Sequence, residues 1–175
     1  LSEQLQQMME GMMMEQMGED INTLREILEN LIQNSFDQED LMAAYGEINT
    51  NDPKYTGTIN DQQDLKDDMQ VVADSLRALA KRQIMIKPFV TKELKAIDKH
   101  FDEALESMED RRKGRTMENQ QLAMTSINNL ALLLGESLQQ MQQQMMSMQS
   151  SGQCSNPNPG KPGGAQQMKS MRGLQ

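Results

Sequence analysis

The chain has 175 residues, 17 Lys and Arg against 26 Asp and Glu for a net charge of −9, 3% aromatics, 18 Met, one Cys and one His. One Cys excludes an internal disulfide framework and, with one His, leaves few ligands for a zinc site. The acidic balance and scarce aromatics argue against nucleic-acid binding, which needs a basic face or stacking platforms.

At 37% apolar the length permits one domain, with a core drawn from Met, Leu and Ile. No apolar run approaches the roughly 18–20 residues of a membrane span, and no secretory signal pattern opens the chain. The sequence begins at Leu1 inside a Gln/Met-rich tract and stops at Gln175 as another begins. That shared texture at both ends predicts a piece of a longer protein.

Residues 1–34 form a Gln/Met-rich first segment, helical by period. Met14, Met17, Ile21, Leu24, Leu28 and Leu31 step by three and four, as along a coiled-coil seam. Gly11 and Gly18 each cost about 1 kcal/mol in a helix, so fraying or a break is expected there. Ser35-Phe-Asp-Gln38 matches a capping box, predicting that a short new helix starts at Ser35 and runs to about Ile48. Asp52-Pro53 and Gly57 predict an irregular loop over 49–59, with a second capping signal at Asn60–Gln63.

The next seam is the clearest: Leu65, Met69, Val72, Leu76, Leu79 and Ile86, with polar Gln83 at one seam position. Pro88 ends that helix or starts the next. Val90, Leu94, Ile97, Phe101, Leu105 and Met108 form a further stripe, and Gly114 is the expected turn. Met124, Ile127, Ala131, Leu134, Leu138, Met141, Met145 and Met148 give the last helix, to about Gln149. Leu76, Leu79, Ile97, Phe101, Ile127, Leu134 and Leu138 are the expected core.

Two middle helices of about 37–39 Å between two of about 48–50 Å predict an all-α, elongated antiparallel helical bundle with coiled-coil-like seams. Its body spans 35–149. Residues 150–165, rich in Pro, Gly, Ser and Asn, form an expected flexible linker, and 166–175 start a truncated Gln/Met-rich helix. Asp61, Asp64, Asp67 and Asp68 crowd one helix start, and Arg111, Arg112, Lys113 and Arg115 crowd a later helix end. A hairpin turning near Pro88 brings the two sets together.

The Met tracts are the candidate interaction surface: Met8, Met9, Met12, Met13, Met14, Met17, Met141, Met145 and Met148. Flexible, polarizable Met suits a groove for apolar helices, and thioethers suit Cu(I), though no His or Cys lies within either tract. Core packing is the plainer explanation. Antiparallel packing of the first and last helices is expected to set the two tracts at opposite ends, with at least one projecting beyond the body. His100, between Ile97 and Phe101, has no partner for catalysis and is an ordinary helix-boundary residue. Cys154 falls in the linker as an exposed thiol. The oxygen-rich loop 49–61 fails the calcium-loop pattern, with Lys54 in place of Gly and Asn60 in place of Glu. The basic run 111–115 serves helix capping and ion pairing, and no phosphate-binding loop or dinucleotide fingerprint exists. No catalytic residue, cofactor or metal is expected.

The segments ENLIQNSFDQEDLMAAY (29–45), DP.Y (52–55), DSLRALAKRQIMIKPFVTKEL (74–94) and TSINNLALLLGESLQQMQQQM (125–145) carry a family resemblance. Over roughly residues 25–165 the chain resembles the C-terminal helical region of a family of large, uncharacterised, membrane-anchored Bacteroidota proteins sharing a domain of unknown function. The resemblance implies transmembrane helices elsewhere in a longer parent, then Gln/Met-rich coiled-coil tracts and Pro/Gly-rich linkers. Family members are sometimes labelled ATPases, which the lack of a phosphate-binding loop does not support here. The expectation is a non-catalytic structural or protein-interaction module of a cell-envelope protein, on the periplasmic side. It would have a protein partner or self-associate, bind no nucleic acid, and meet the membrane only through parent segments. The alternative is a Met-lined helical groove for apolar segments, as in a chaperone or secretion factor.

Overall fold

In the computed structural model, residues 2–153 are described, and every regular element among them is helical. Helix α1 spans Ser2–Glu47, α2 Tyr55–Arg82, α3 Lys87–Glu109 and α4 Lys113–Gln153, with a 3₁₀ turn at Ile84–Ile86 before α3. Chain neighbours pack together and α1 packs on α4, so the four helices run up, down, up, down around one core. The all-α antiparallel bundle is the fold.

The a/d seams are the reason. Leu24 and Leu31 of α1, Leu76 and Leu79 of α2, Ile97 and Phe101 of α3, and Ile127, Leu130 and Leu134 of α4 are all buried in a single cluster. Of the expected core residues only Leu138 is half-buried, at the edge of that cluster. Pro88 occupies the first turn of α3, where its missing N–H costs nothing.

Several expected boundaries are overturned. α1 runs unbroken through Gly11, Gly18 and the Ser35–Gln38 box. The box residues face other helices: Ser35 Oγ is 2.6 Å from Asn128 Oδ1, and Gln38 is fully buried. Tertiary partners displaced the local cap. The loop is shorter than expected, since α2 already begins at Tyr55, with Gly57 and Asn60–Gln63 inside it. A Tyr55 side chain locked into the core and the Tyr55 carbonyl accepting from Thr58 Oγ1 hold that first turn. Gly114 is not the α3–α4 turn either. The left-handed residue is Arg111, at φ 57°, and Gly114 lies in α4. Arg112 N–H donates to the Ser107 carbonyl and Arg111 N–H to the Met108 carbonyl, the paired bonds of a Schellman ending. Arg111 holds a conformation that usually favours Gly, and its guanidinium donates to the Thr50 carbonyl and lies over the Tyr55 ring.

α4 extends to Gln153, so residues 150–153 of the expected linker are helical. The remainder of the linker, Cys154 included, and the expected terminal helix at 166–175 lie outside the described residues.

Candidate functional site

The outer helices are longer than the inner pair by far more than their seams predict: about 69 Å for α1 and 61 Å for α4, against 42 Å for α2 and 34 Å for α3. All of the excess falls at one end. Asp20 marks the place where the four-helix body stops, because Arg82 Nε and Gln83 Nε2, at the end of α2, donate to its two carboxylate oxygens, each at 2.9 Å. Gln16 Nε2 adds a bond at 3.2 Å. Asp20 is 1% exposed, a buried carboxylate paired and hydrogen-bonded as such a group must be. Gln83, the polar seam residue, is therefore part of the closure of the body.

Residues 2–19 of α1 and the end of α4 continue past that closure as a two-helix arm, about 27 Å long on the α1 side. The pairing keeps one antiparallel register along the helices. A Cβ on Gly18 would lie 3.6 Å from Met145 Cε, Ser35 meets Asn128, and a Cβ on Gly46 would lie 3.5 Å from Met117 Cε. By that register Gln153 falls level with Glu10, so α1 residues 2–9 have no described helix beside them.

This corrects the expected placement of the Met tracts. They lie at the same end, because antiparallel pairing sets the start of α1 beside the finish of α4. Met8, Met9, Met12 and Met13 are 56–67% exposed, Met14 and Met17 are half-buried, and Leu5 adds a further exposed apolar side chain. In α4, Met141 is buried, Met145 half-buried, and Met146 and Met148 exposed. At the base of the arm Gly18, Ile21, Met145 and Met146 line a groove of about 460 Å³ between α1 and α4.

At the opposite end the core is polar. Gln38 Nε2 donates to Gln62 Oε1 at 3.2 Å, Gln62 Nε2 donates to Gln38 Oε1 at 2.7 Å, and Gln120 Nε2 donates to Gln62 Oε1 at 3.0 Å. This glutamine layer joins α1, α2 and α4 and divides the main core from a small cluster of Tyr45, Tyr55 and Met108. Tyr55 Oη donates to the Met108 carbonyl at 2.7 Å, so Tyr45 Oη is the donor in the 3.1 Å bond between the two hydroxyls. Lys113 donates to the Gly46 and Ile48 carbonyls and stands over the Tyr45 ring.

Burial raises the Tyr55 pKa above 10.0, because desolvation disfavours the phenolate. The raised value means the unfolded chain ionises first. This contribution is complete below pH 10 and is lost as pH climbs toward the folded value. Alkaline unfolding is expected to steepen above about pH 10, and Tyr55→Phe should flatten that limb while costing about 1–2 kcal/mol at neutral pH from the lost hydroxyl bonds. A Tyr55→Phe protein with the same alkaline limb would place the titrating group elsewhere.

The hairpin expected at Pro88 is present, and it does bring the start of α2 beside the end of α3. The basic run there meets carbonyls and tyrosine rings, however, and the pair formed across α2 and α3 is Lys66 with Asp102. Asp61, Asp64 and Asp68 instead face Asp37 and Asp40 along α1. Among the described residues, no three acids, His or Cys converge as metal ligands, and His100 Nδ1 is buried without a protein partner. No described helix is long and apolar enough to cross a membrane. No family model, curated protein or solved structure matches the chain.

The Met residues were legible as a candidate from composition. A projection of at least one tract beyond the body was expected; that both tracts share one end was missed, and where the body stops depends on the contact of Asp20 with the end of α2, between residues 62 positions apart.

Proposed function

We propose that the chain is a non-catalytic structural and protein-interaction module of a larger membrane-anchored cell-envelope protein, on the periplasmic side. The observation that carries the interaction reading is the arm, on which Leu5, Met8, Met9, Met12 and Met13 leave a run of large apolar side chains more than half exposed. Contiguous apolar surface of this kind marks a place where a partner docks. Met suits the role because an unbranched thioether conforms to varied surfaces. The rigid body below the arm is the part that sets its position. Membrane anchoring and the envelope location rest on the resemblance of residues 29–45, 74–94 and 125–145 and concern a longer parent.

Mild peroxide with peptide mass mapping tests the reading. In the isolated chain, diluted until it is monomeric, Met8, Met9, Met12 and Met13 are expected to form sulfoxide well before buried Met69 and Met108. In the parent protein, in its own membranes, the same four should become protected. Equal oxidation in both settings would sink the interaction reading. A second reading, a groove for an apolar segment, is favoured by the cavity at the arm base; there protection would centre on Met145 and Met146.

A further inference from the structure

We infer that the partner of the arm is a second copy of this chain, joined end to end so that each arm lies along the other's and the stretch around Leu5 seats on the other's α2–α3 turn. This rests on the reading of the arm as an interaction surface and names its occupant. Two surfaces at the same end of the molecule are unpartnered and complementary. The first is the arm: α1 residues 2–19 carry Glu3, Glu10, Glu15 and Glu19 and no base, and the α4 strand of the arm is uncharged. The second is the turn closing α2 on α3, where Ile84 and Met85 are 73% and 78% exposed, more than any other large apolar side chain described. Residues 75–92 around it contain Arg77, Lys81, Arg82, Lys87 and Lys92 and no acid, in a chain whose net charge is −9.

Arg82 is engaged by Asp20 and Arg77 by Asp74, but Lys81 and Lys87 have no ion-pair partner among the described residues. Neither do the four glutamates. Acid with apolar on one surface and base with apolar on the other is the pattern that selects a partner by charge and holds it by burial.

Geometry makes the match self-complementary. The arm stands on the α1–α4 side and overshoots the turn by about 27 Å, leaving the space above α2 and α3 open. A copy turned by a two-fold axis across the bundle places its own arm in that space. Setting Leu5 of one copy level with Met85 of the other, apolar side chain against apolar side chain, puts Glu3 beside Lys81 and Lys87 and leaves Glu10 about 7.5 Å further along the axis, and the pairing occurs twice. Within one chain Leu5 lies about 18 Å along the axis from the level of Met85, so the two cannot touch.

Sedimentation of the purified chain should give twice the 19.9 kDa mass. In a Cys154→Ser background, mixing Leu5→Cys protein with Met85→Cys protein should yield a mixed disulfide far faster than mixing Leu5→Cys with Thr56→Cys, at the other end of the bundle. Charge exchange supplies the sharper arm. Lys81→Glu with Lys87→Glu, and separately Glu3→Lys with Glu10→Lys, should each weaken self-association at least about tenfold, while the two variants mixed should pair again. Glu3, Leu5, Glu10, Thr56, Lys81, Met85 and Lys87 are all on exposed surface, so folding is not at issue. A chain that sediments as a monomer at high micromolar concentration, or charge variants that associate like the parent, would overturn the inference. If the monomer result came with Met8–Met13 still protected in the parent's membranes, the interaction reading would stand and the second copy would be excluded.

Discussion

Phe101→Ala is expected to lower stability by about 3–5 kcal/mol, the cost of deleting a buried ring and leaving its cavity. Phe101 is 2% exposed on α3, in the same cluster as Met69, Ala73 and Ile97. Phe101 also lines a groove of about 300 Å³ between α2 and α3, together with Lys66 and Asp98. Because a small domain holds only about 5–15 kcal/mol in all, a loss of this size consumes a large share of it. Urea unfolding with an unchanged slope and a lowered midpoint would report it cleanly. Leu105→Ala, half-buried on the same helix, should cost clearly less. A midpoint unmoved by Phe101→Ala would mean that the ring faces water and that the helix is rotated from its place here.

Gln62→Ala is expected to cost about 3 kcal/mol or more, although no apolar side chain is lost. The substitution strands the Gln38 amide and the Gln120 amide nitrogen, each buried, and an unsatisfied buried polar group costs about 1–3 kcal/mol. Gln120 Oε1 already lacks a protein partner, so the layer has nothing in reserve. Replacing all three glutamines by Leu gives the opposite expectation. With donors and acceptors removed together, stability should hold or rise, since a buried polar network is weak evidence for stability but punishes partial disruption. The two results form one test. If Gln62→Ala proved mild, below about 1 kcal/mol, water would be reaching the layer. If the triple variant kept its stability but lost its defined α1–α2–α4 register, seen as broadened side-chain resonances, the layer would be acting as a register lock.

The sequence by itself determined the helical class, the seams and most of the core. Steps of three and four over Leu65–Ile86 and Val90–Met108 admit only one kind of element, and the apolar residues of those stripes are buried on the predicted faces, apart from half-buried Leu105. Pro88 marked the boundary between two helices because its chemistry is local. The capping signals at Ser35 and Asn60 were equally local, and they failed because a helix packed along two neighbours gains more by continuing than a cap returns. Gln38 shows the conflict: its spacing from Ser35 suits a cap, whereas its burial against Gln62 gives the side chain a different partner. Gly114 was the natural turn residue by propensity. Arg111 holds the left-handed position instead, and its guanidinium reaches Thr50 and Tyr55, contacts more than 50 residues away in sequence.

The candidate surface divides the same way. Composition alone singled out Met8–Met17 and Met141–Met148. The exposure of Met8–Met13, Met146 and Met148, and the meeting of the two tracts at one end, came from the register of α1 on α4 and from the Asp20–Arg82 closure that stops the four-helix body short of the arm. Periodicity fixes which face of a helix turns inward, since that depends on neighbours three and four residues away. Where one helix ends beside another depends on pairings between distant residues, and only the folded chain brings those together.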